Sequence, residues 1–337
     1  SGTSQYEAGR GGLALTRDWQ FFILPVPAPS KLVSEAGMFT FAESLEDGWP
    51  DGYNIWIDEI RWARLSNIET FRPSLNPVSQ HYFIGSTVNI TGTRTIFRID
   101  GGFVPLDHSP NYFDYTSSDP SVAQVQNNTV VVVGEGQATV SATVENQADL
   151  TADPIDVLGS LVVTGYEAPT EAATPPTLPQ SSVISMFSDV YDDVLIDTWR
   201  ADWGGVTTQV QDYAINGDNT KMYTSLNFVG VTFQTVYIDA SGMASFHVDA
   251  YAPTGDDFKL KFVSFPGDPG TPGIESLELT FNADSTPAFT PGGWVSLDIP
   301  LADFTPADPE WDWSKLGQMV LSGSTPLVLV DNLYFHE

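Results

Sequence analysis

Apolar positions in this chain recur mostly at every second residue. In "ASFHVDAYAP" (244–253) Phe246, Val248 and Ala250 fall on one side, and His247, Asp249 and Tyr251 on the other. In "DFKLKFVSF" (257–265) Phe258, Leu260 and Phe262 oppose Lys259 and Lys261. Such alternation marks strands with one buried face, because successive side chains of a strand point to opposite sides of the sheet. Turn formers interrupt the pattern roughly every eight to twelve residues, and helical periodicity is almost absent, so the expected class is all-β, a multidomain chain of β-sandwiches. With 337 residues the chain has room for two or three cores.

Two breaks divide the pattern. "EAPTEAATPPTLPQSS" (167–182) is rich in Pro, Thr and Ala and has no apolar periodicity, as a semi-rigid linker would. "SNIETFRPSLNPVSQ" (66–80) is a softer break. The expected organisation is an N-terminal part over 1–70, a middle domain over 78–165, a linker over 166–180 and a C-terminal domain over 181–337. Tryptophan sorts the same way: Trp19, Trp49, Trp56 and Trp62 lie in the first part, five lie at 199–313, and none between 66 and 180.

The first part repeats the end of the last. "RDWQFFILPVPAPSKL" (17–32) matches "GGWVSLDIPLADFTPA" (292–307), each with a Trp, an alternating strand and a proline turn. "GMFTFAES" (37–44) takes the place of "QMVLSGST" (318–325), and "NIWIDEIRW" (54–62) that of "LVLVDNLYF" (327–335). Residues 1–70 therefore read as the second half of another copy of the C-terminal domain, its first half missing.

Charge narrows the ligand. A formal net charge of -30, with 13 Lys and Arg against 43 Asp and Glu, leaves no basic cluster for nucleic acid or an anionic membrane. There is no cysteine, hence no disulfide, thiolate metal site or thiol nucleophile. No apolar run approaches a membrane span. The chain starts at Ser1 without a signal peptide or lipobox, so any export signal is expected to have been removed. The four His (81, 108, 247, 336) show no metal-binding spacing, and no G-x-S-x-G occurs.

"YTSSDPSVAQVQNNTVVVVGEGQATVSATV" (115–144) resembles the bacterial immunoglobulin-like group 2 domain, which implies a spacer. "VISMFSDVYDDVLIDTWRADWGG" (183–205), "GDNTKMYTSLNFVGVTF" (217–233), "IDASGMASFHVDAYAP" (238–253), "WVSLDIPLADF" (294–304) and "LVDNLYFHE" (329–337) resemble a jelly-roll carbohydrate-binding module of Bacteroidota. Modules of that type are appended to family-16 laminarinases and occur in surface proteins of polysaccharide utilisation loci. The resemblance implies a non-catalytic surface glycan-binding protein, anchored to the outer membrane as a lipoprotein or secreted. It would collect laminarin, a β-1,3-glucan with β-1,6 branches, for a SusC/SusD-type importer. A structural or adhesive surface protein, or the binding modules of a larger glycoside hydrolase, are the alternatives. The retaining pair of family-16 hydrolases, Glu-x-Asp-x-x-Glu, is absent, so no enzyme is expected.

Sugar binding needs aromatic plates against pyranose C–H faces and a few side chains that read hydroxyls. Trp199 and Trp203, with Arg200 between them, are expected to share one platform. Trp311 and Trp313, in the proline-led "DPEWDWSKL" (308–316), are expected to be exposed. The polar row of His247, Asp249, Tyr251, Lys259 and Lys261 is expected to line a groove. The resemblance further implies a structural calcium ion between first and last strands, held by Asp189 and Asp331, with Asp58 as the counterpart in the half copy.

Overall fold

The computed structural model describes residues 5–35, 37, 39–42, 54–126, 128–267 and 271–337. The all-β expectation is borne out: among the described residues the only α-helix is one turn, Leu301–Phe304. Trp49, and Met38, Glu43 and Ser44 of the 37–44 landmark, lie outside the described residues.

The chain divides into two compact units, one built mostly from residues 1–163 and the other mostly from 164–337. In the first, strands Ala8–Gly9, Gly102–His108, Arg94–Ile99 and Ile68–Ser74 lie side by side in that order. A second sheet is ordered Ile155–Asp156, Gly136–Val144, Leu161–Tyr166, Val78–Phe83. Phe97, Ile99 and Leu106 form a buried cluster against which Ile23 and Leu65 of the N-terminal part pack. This sandwich thus takes in Ile68–Ser74, ahead of the expected start at 78. Within the described part of 1–66, the sole strand is Ala8–Gly9. The "linker" is attached rather than free: Ala173 is buried, the Glu171 carbonyl accepts from Trp294 Nε1 at 2.8 Å, and the Thr170 carbonyl accepts from Asn216 Nδ2 at 2.7 Å.

The C-terminal domain is a two-sheet sandwich. One sheet is ordered Gln209–Ile215, Asp218–Thr224, Leu327–His336, Ser245–Tyr251, Trp294–Pro300, with Val183–Phe187 also paired to Leu327–His336. The other is ordered Phe228–Thr232, Leu316–Gly323, Phe258–Ser264, Ile274–Glu275, with Leu279–Phe281 also paired to Phe258–Ser264. Alternation sends Phe246, Val248 and Leu297 of the first sheet against Val229, Phe258, Leu260, Phe262, Met319 and Leu321 of the second. Face-to-face burial of these two apolar sets is what holds the layers together.

Leu327–His336 is the middle strand of its sheet, buried from Leu327 through Phe335. It carries one residue too many for its neighbour: Asp249 faces Asp331 and His247 faces Tyr334, so three steps on one strand match two on the other. The surplus is absorbed by a bulge, with Asn332 at φ 50° and its N–H donated to Asp331 Oδ1 at 2.7 Å. The bulge shifts the phase of the strand. Val328 and Val330 face the core before it, and Leu333 and Phe335 after it.

Phe262 is the aromatic hub of the core, with ring centroids 5.0 Å from Phe246, 5.1 Å from Phe304 and 5.3 Å from Phe335. Phe262→Ala should destabilise the C-terminal domain by about 3–5 kcal/mol, read as a lower urea midpoint for its unfolding transition.

Candidate functional site

The outer face of the 228–232, 316–323, 258–264 sheet holds a groove beside an aromatic side chain. The segment before it, 197–203, runs along the free edge of Phe228–Thr232: Asp197 N–H and Ala201 N–H donate to the Thr232 and Gly230 carbonyls at 2.8 Å each. Arg200 Nε fixes the following loop by donating to the Thr208 carbonyl at 2.7 Å. This route lays the Trp203 indole over Gly230, so tightly that a Cβ at 230 would stand 2.1 Å from the ring. A glycine inside an otherwise apolar strand is what this approach requires.

Around Trp203 opens a groove of about 310 Å³, lined by Phe228, Lys261, Val263, Glu275, Gln318 and neighbours. That volume is at the small end for a ligand site. The two lysines on the face are paired: Lys261 Nζ lies 2.6 Å from Glu275, and Lys259 Nζ 3.5 Å from Asp257. Both of these lysines are thus held by carboxylates, while Lys315 Nζ lies 6.0 Å from the centre of the Tyr237 ring.

A second aromatic pair occupies the same face further along. Tyr237 and Phe265 stack with centroids 6.1 Å apart and planes 18° apart, above Gly317, where a Cβ would come within 3.0 Å of both rings. Gly230 faces Val320 across the ladder, and Gly317 is three residues from Val320. At a strand rise of about 3.3 Å per residue the two platforms are roughly 10 Å apart. Gln318 lies between them, opposite Val263, and Lys261 lies opposite Val320.

Several expected site residues fall elsewhere. Trp199 does not share the Trp203 platform; it packs at the core margin, edge-on to Phe187 at 5.6 Å with Lys221 Nζ 5.1 Å above its ring. Trp311 and Trp313 are not freely exposed. They meet edge to face at 5.1 Å and pack against the core, with Trp311 Nε1 buried and unbonded. Their segment is a turn, not a strand: Asp312 caps the short helix Trp313–Lys315 through Ser314 N–H at 2.8 Å.

His247, Asp249 and Tyr251 do not join the two lysines, because Ser245–Tyr251 and Phe258–Ser264 belong to opposite sheets and their outward faces point apart. His247 stacks on Tyr334 at 4.7 Å. Asp249 accepts from Ser296 and, at 2.9 Å, from Asn332 Nδ2. Tyr251 is buried beside Met222 and Leu329.

The carboxylates expected to hold calcium are linked through a third. Both Asp189 oxygens accept from Asn219, its N–H at 2.8 Å and its Nδ2 at 3.0 Å. Asp218 lies between Asp189 and Asp331. Asp331 is 1% exposed, and its Oδ2 has no hydrogen-bond partner. Burial, reinforced by Asp218 and Asp249, pushes the Asp331 carboxyl up to about 8, and burial raises Asp218 as well. An orphaned buried oxygen beside a second carboxylate is a hard-oxygen donor set of the kind calcium takes. Among the described residues, however, no three Asp, Glu, His or Cys side chains gather at metal-holding distance.

No protein-family model and no curated protein matches the sequence. Among solved structures the chain is similar to a family 30 carbohydrate-binding module, at 17% identity and a TM-score of 0.36, over 46% of this chain and 99% of that one. It is also similar to the family 11 carbohydrate-binding module of the cellulosomal cellulase Lic26A-Cel5E of Clostridium thermocellum (13% identity, TM-score 0.30, 43% and 96% covered). A third is a module specific for non-crystalline cellulose (20% identity, TM-score 0.31, 41% and 86% covered). Likeness of this degree does not reach individual groove residues.

A carboxyl whose folded-state pKa is raised lends stability below its unfolded value, near 4, and loses it as pH climbs through the folded value. In chelator, the stability of the C-terminal domain should therefore fall between pH 5 and about 8, by up to ~1.4 kcal/mol per pH unit from this group. Asp331→Asn keeps the acceptor for Asn332 N–H and should flatten that slope. Melting curves across the range would check it.

Proposed function

We propose that the outer face of the 228–232, 316–323, 258–264 sheet binds a neutral polysaccharide without cleaving it. The observation that carries this reading is Trp203 held above Gly230 at the mouth of the groove, with Tyr237 and Phe265 above Gly317 on the same face. Two aromatic plates with Gln318, Ser322 and a paired Lys261 nearby match what a sugar chain presents, apolar C–H faces alternating with hydroxyls. Neutrality follows from charge: the C-terminal domain from 177 on has 22 acids against 5 bases. An anionic glycan would meet repulsion there, whereas a neutral one would bind with little dependence on salt.

The sequence resemblance supports a laminarin-type β-1,3-glucan as ligand, and a surface protein that hands it to a SusC/SusD-type importer, with the middle sandwich as an immunoglobulin-like spacer. A calcium ion held by Asp189 and Asp331 with backbone carbonyls, as the resemblance implies, would be structural. When bound, it would neutralise the buried carboxylates and stabilise the folded form alone.

Two outcomes are expected. In titration calorimetry, laminari-oligosaccharides should bind with a dissociation constant on the order of micromolar to millimolar. Trp203→Ala should weaken binding by at least ~1 kcal/mol, roughly fivefold, and Gly230→Val should do the same by displacing the indole. Trp199→Ala should leave affinity unchanged. Full affinity in the Trp203 variant removes the site, and absence of heat with every neutral glucan removes the function. For calcium, the melting temperature at pH 7 should rise on addition of the ion and return with EDTA; an unchanged curve dismisses the metal.

A further inference from the structure

A second aromatic patch lies in the first unit, on the sheet formed by Ile68–Ser74, Arg94–Ile99 and Gly102–His108. These strands turn Thr70, Phe97, Ile99 and Leu106 inward, where all four are buried. On the opposite face Glu69 pairs with Arg98 and Arg98 with Phe103, while Arg72 pairs with Ile96. Thr70 faces Phe97 and Arg72 faces Ile96, so Phe71 is one residue too many for its neighbour. The bulge sends the Phe71 side chain outward beside Arg72. Phe71 and Phe103 meet with ring centroids 5.0 Å apart, and they are 41% and 59% exposed.

Charge distinguishes this patch from the rest of the chain. The Arg98 guanidinium lies 4.5 Å over the Phe71 ring and donates from Nη1 to Glu69 at 2.9 Å. Phe71 is thus covered on one face, and Phe103 is the more open plate. Arg94 is held as well, donating from Nε and Nη2 to the two Asp107 oxygens at 2.5 and 3.1 Å. Arg72 differs: it is exposed, and its guanidinium has no partner among the described residues. Three arginines against two carboxylates leave one positive charge here, on a chain whose net charge is -30.

One free guanidinium beside an open phenyl plate complements a ligand that joins a single anion to an apolar face. A nucleic acid would need several free cations, and an added peptide strand would need an open edge. The outer edge of this sheet is taken beyond the bulge, where the Pro73 carbonyl and the Leu75 N–H are both bonded to Leu158 at 2.9 Å. A hexuronate residue meets both demands. Its C–H face stacks on a ring, and its planar carboxylate matches the parallel N–H donors of a guanidinium. We propose that Phe103 and Arg72 form a binding site for a uronate residue of an acidic polysaccharide. Phe71 and Arg98 support the plate, and Glu69 is placed to accept from a sugar hydroxyl. This site is independent of the groove beside Trp203 and gives the first unit a role beyond that of a spacer.

The test follows backbone-amide NMR signals of the full chain during titration with a 1,4-linked tetramer of mannuronate. The amides of Phe71, Arg72, Ile96 and Phe103 should shift together, with a dissociation constant on the order of millimolar. Raising salt from about 50 to about 500 mM should weaken binding at least about threefold, because the ion pair is exposed. The same tetramer with its carboxyls reduced to alcohols should bind at least about tenfold more weakly. Arg72→Gln and Phe103→Ser, both at exposed positions, should each cost at least about threefold with melting unchanged, and Trp203→Ala should cost nothing. Equal binding of the reduced and native tetramers overturns the proposal. So does full affinity in Arg72→Gln, loss of binding in Trp203→Ala, or tighter binding of a sulfated tetrasaccharide or an aspartate-rich peptide.

Discussion

One extra residue in the central strand of the C-terminal sandwich governs what that sheet presents on each face. Side-chain direction in a strand has period two, so a single insertion would turn every residue beyond it to the wrong side. The bulge at Asp331–Asn332 takes up the insertion and returns Leu333 and Phe335 to the core. It also brings Asp331, Asp249 and Asn332 together in the interior, where Asn332 bridges by donating to Asp249 and accepting from Ser188 at 2.8 Å. The buried acidic group is a by-product of this geometry: two aspartates facing each other across one ladder position, in a sheet with little access to water.

The two sheets divide the labour. The sheet containing the bulge buries both faces of its middle strand, while its edge strand Trp294–Pro300 turns Ser296, Asp298 and Pro300 to solvent. The other sheet buries one face and leaves the second open, and that is where glycines at 230 and 317 bring indole, phenol and phenyl rings close to the backbone. A ring lying on a strand with no side chain beneath it has its position set by the strand. Such rigidity limits the ordering a ligand must impose on the protein.

Much of this was legible in alternation alone. Phe246, Val248 and Ala250 were separated from His247, Asp249 and Tyr251, and Phe258, Leu260 and Phe262 from the lysines, as the core shows. What alternation lacks is the assignment of a strand to a sheet. His247 and Lys261 share an outward sense on consecutive strands, yet those strands sit in opposite layers. Trp311 and Trp313 differ for another reason: a polar, proline-led segment pointed to exposure, but there the chain makes a capped turn that lays both rings against the core. Gly230 in "FVGVTF" and Gly317 in "LGQMVLSG" were the unused signal, since a glycine within an apolar strand implies that something approaches the backbone. Phe265 and Tyr237, which no motif singled out, follow from Gly317.

The segment 197–203 has a second consequence. Its hydrogen bonds to Gly230 and Thr232 cover the outer strand of its sheet, whose backbone groups would otherwise be open to pairing with a strand of another molecule. The same few residues thus deliver an aromatic ring and guard against sheet-to-sheet aggregation. Evolution or engineering that reshapes the loop to alter its ring is constrained by colloidal behaviour as much as by recognition: a looser loop would release an unpaired strand edge long before the core of the sandwich was disturbed.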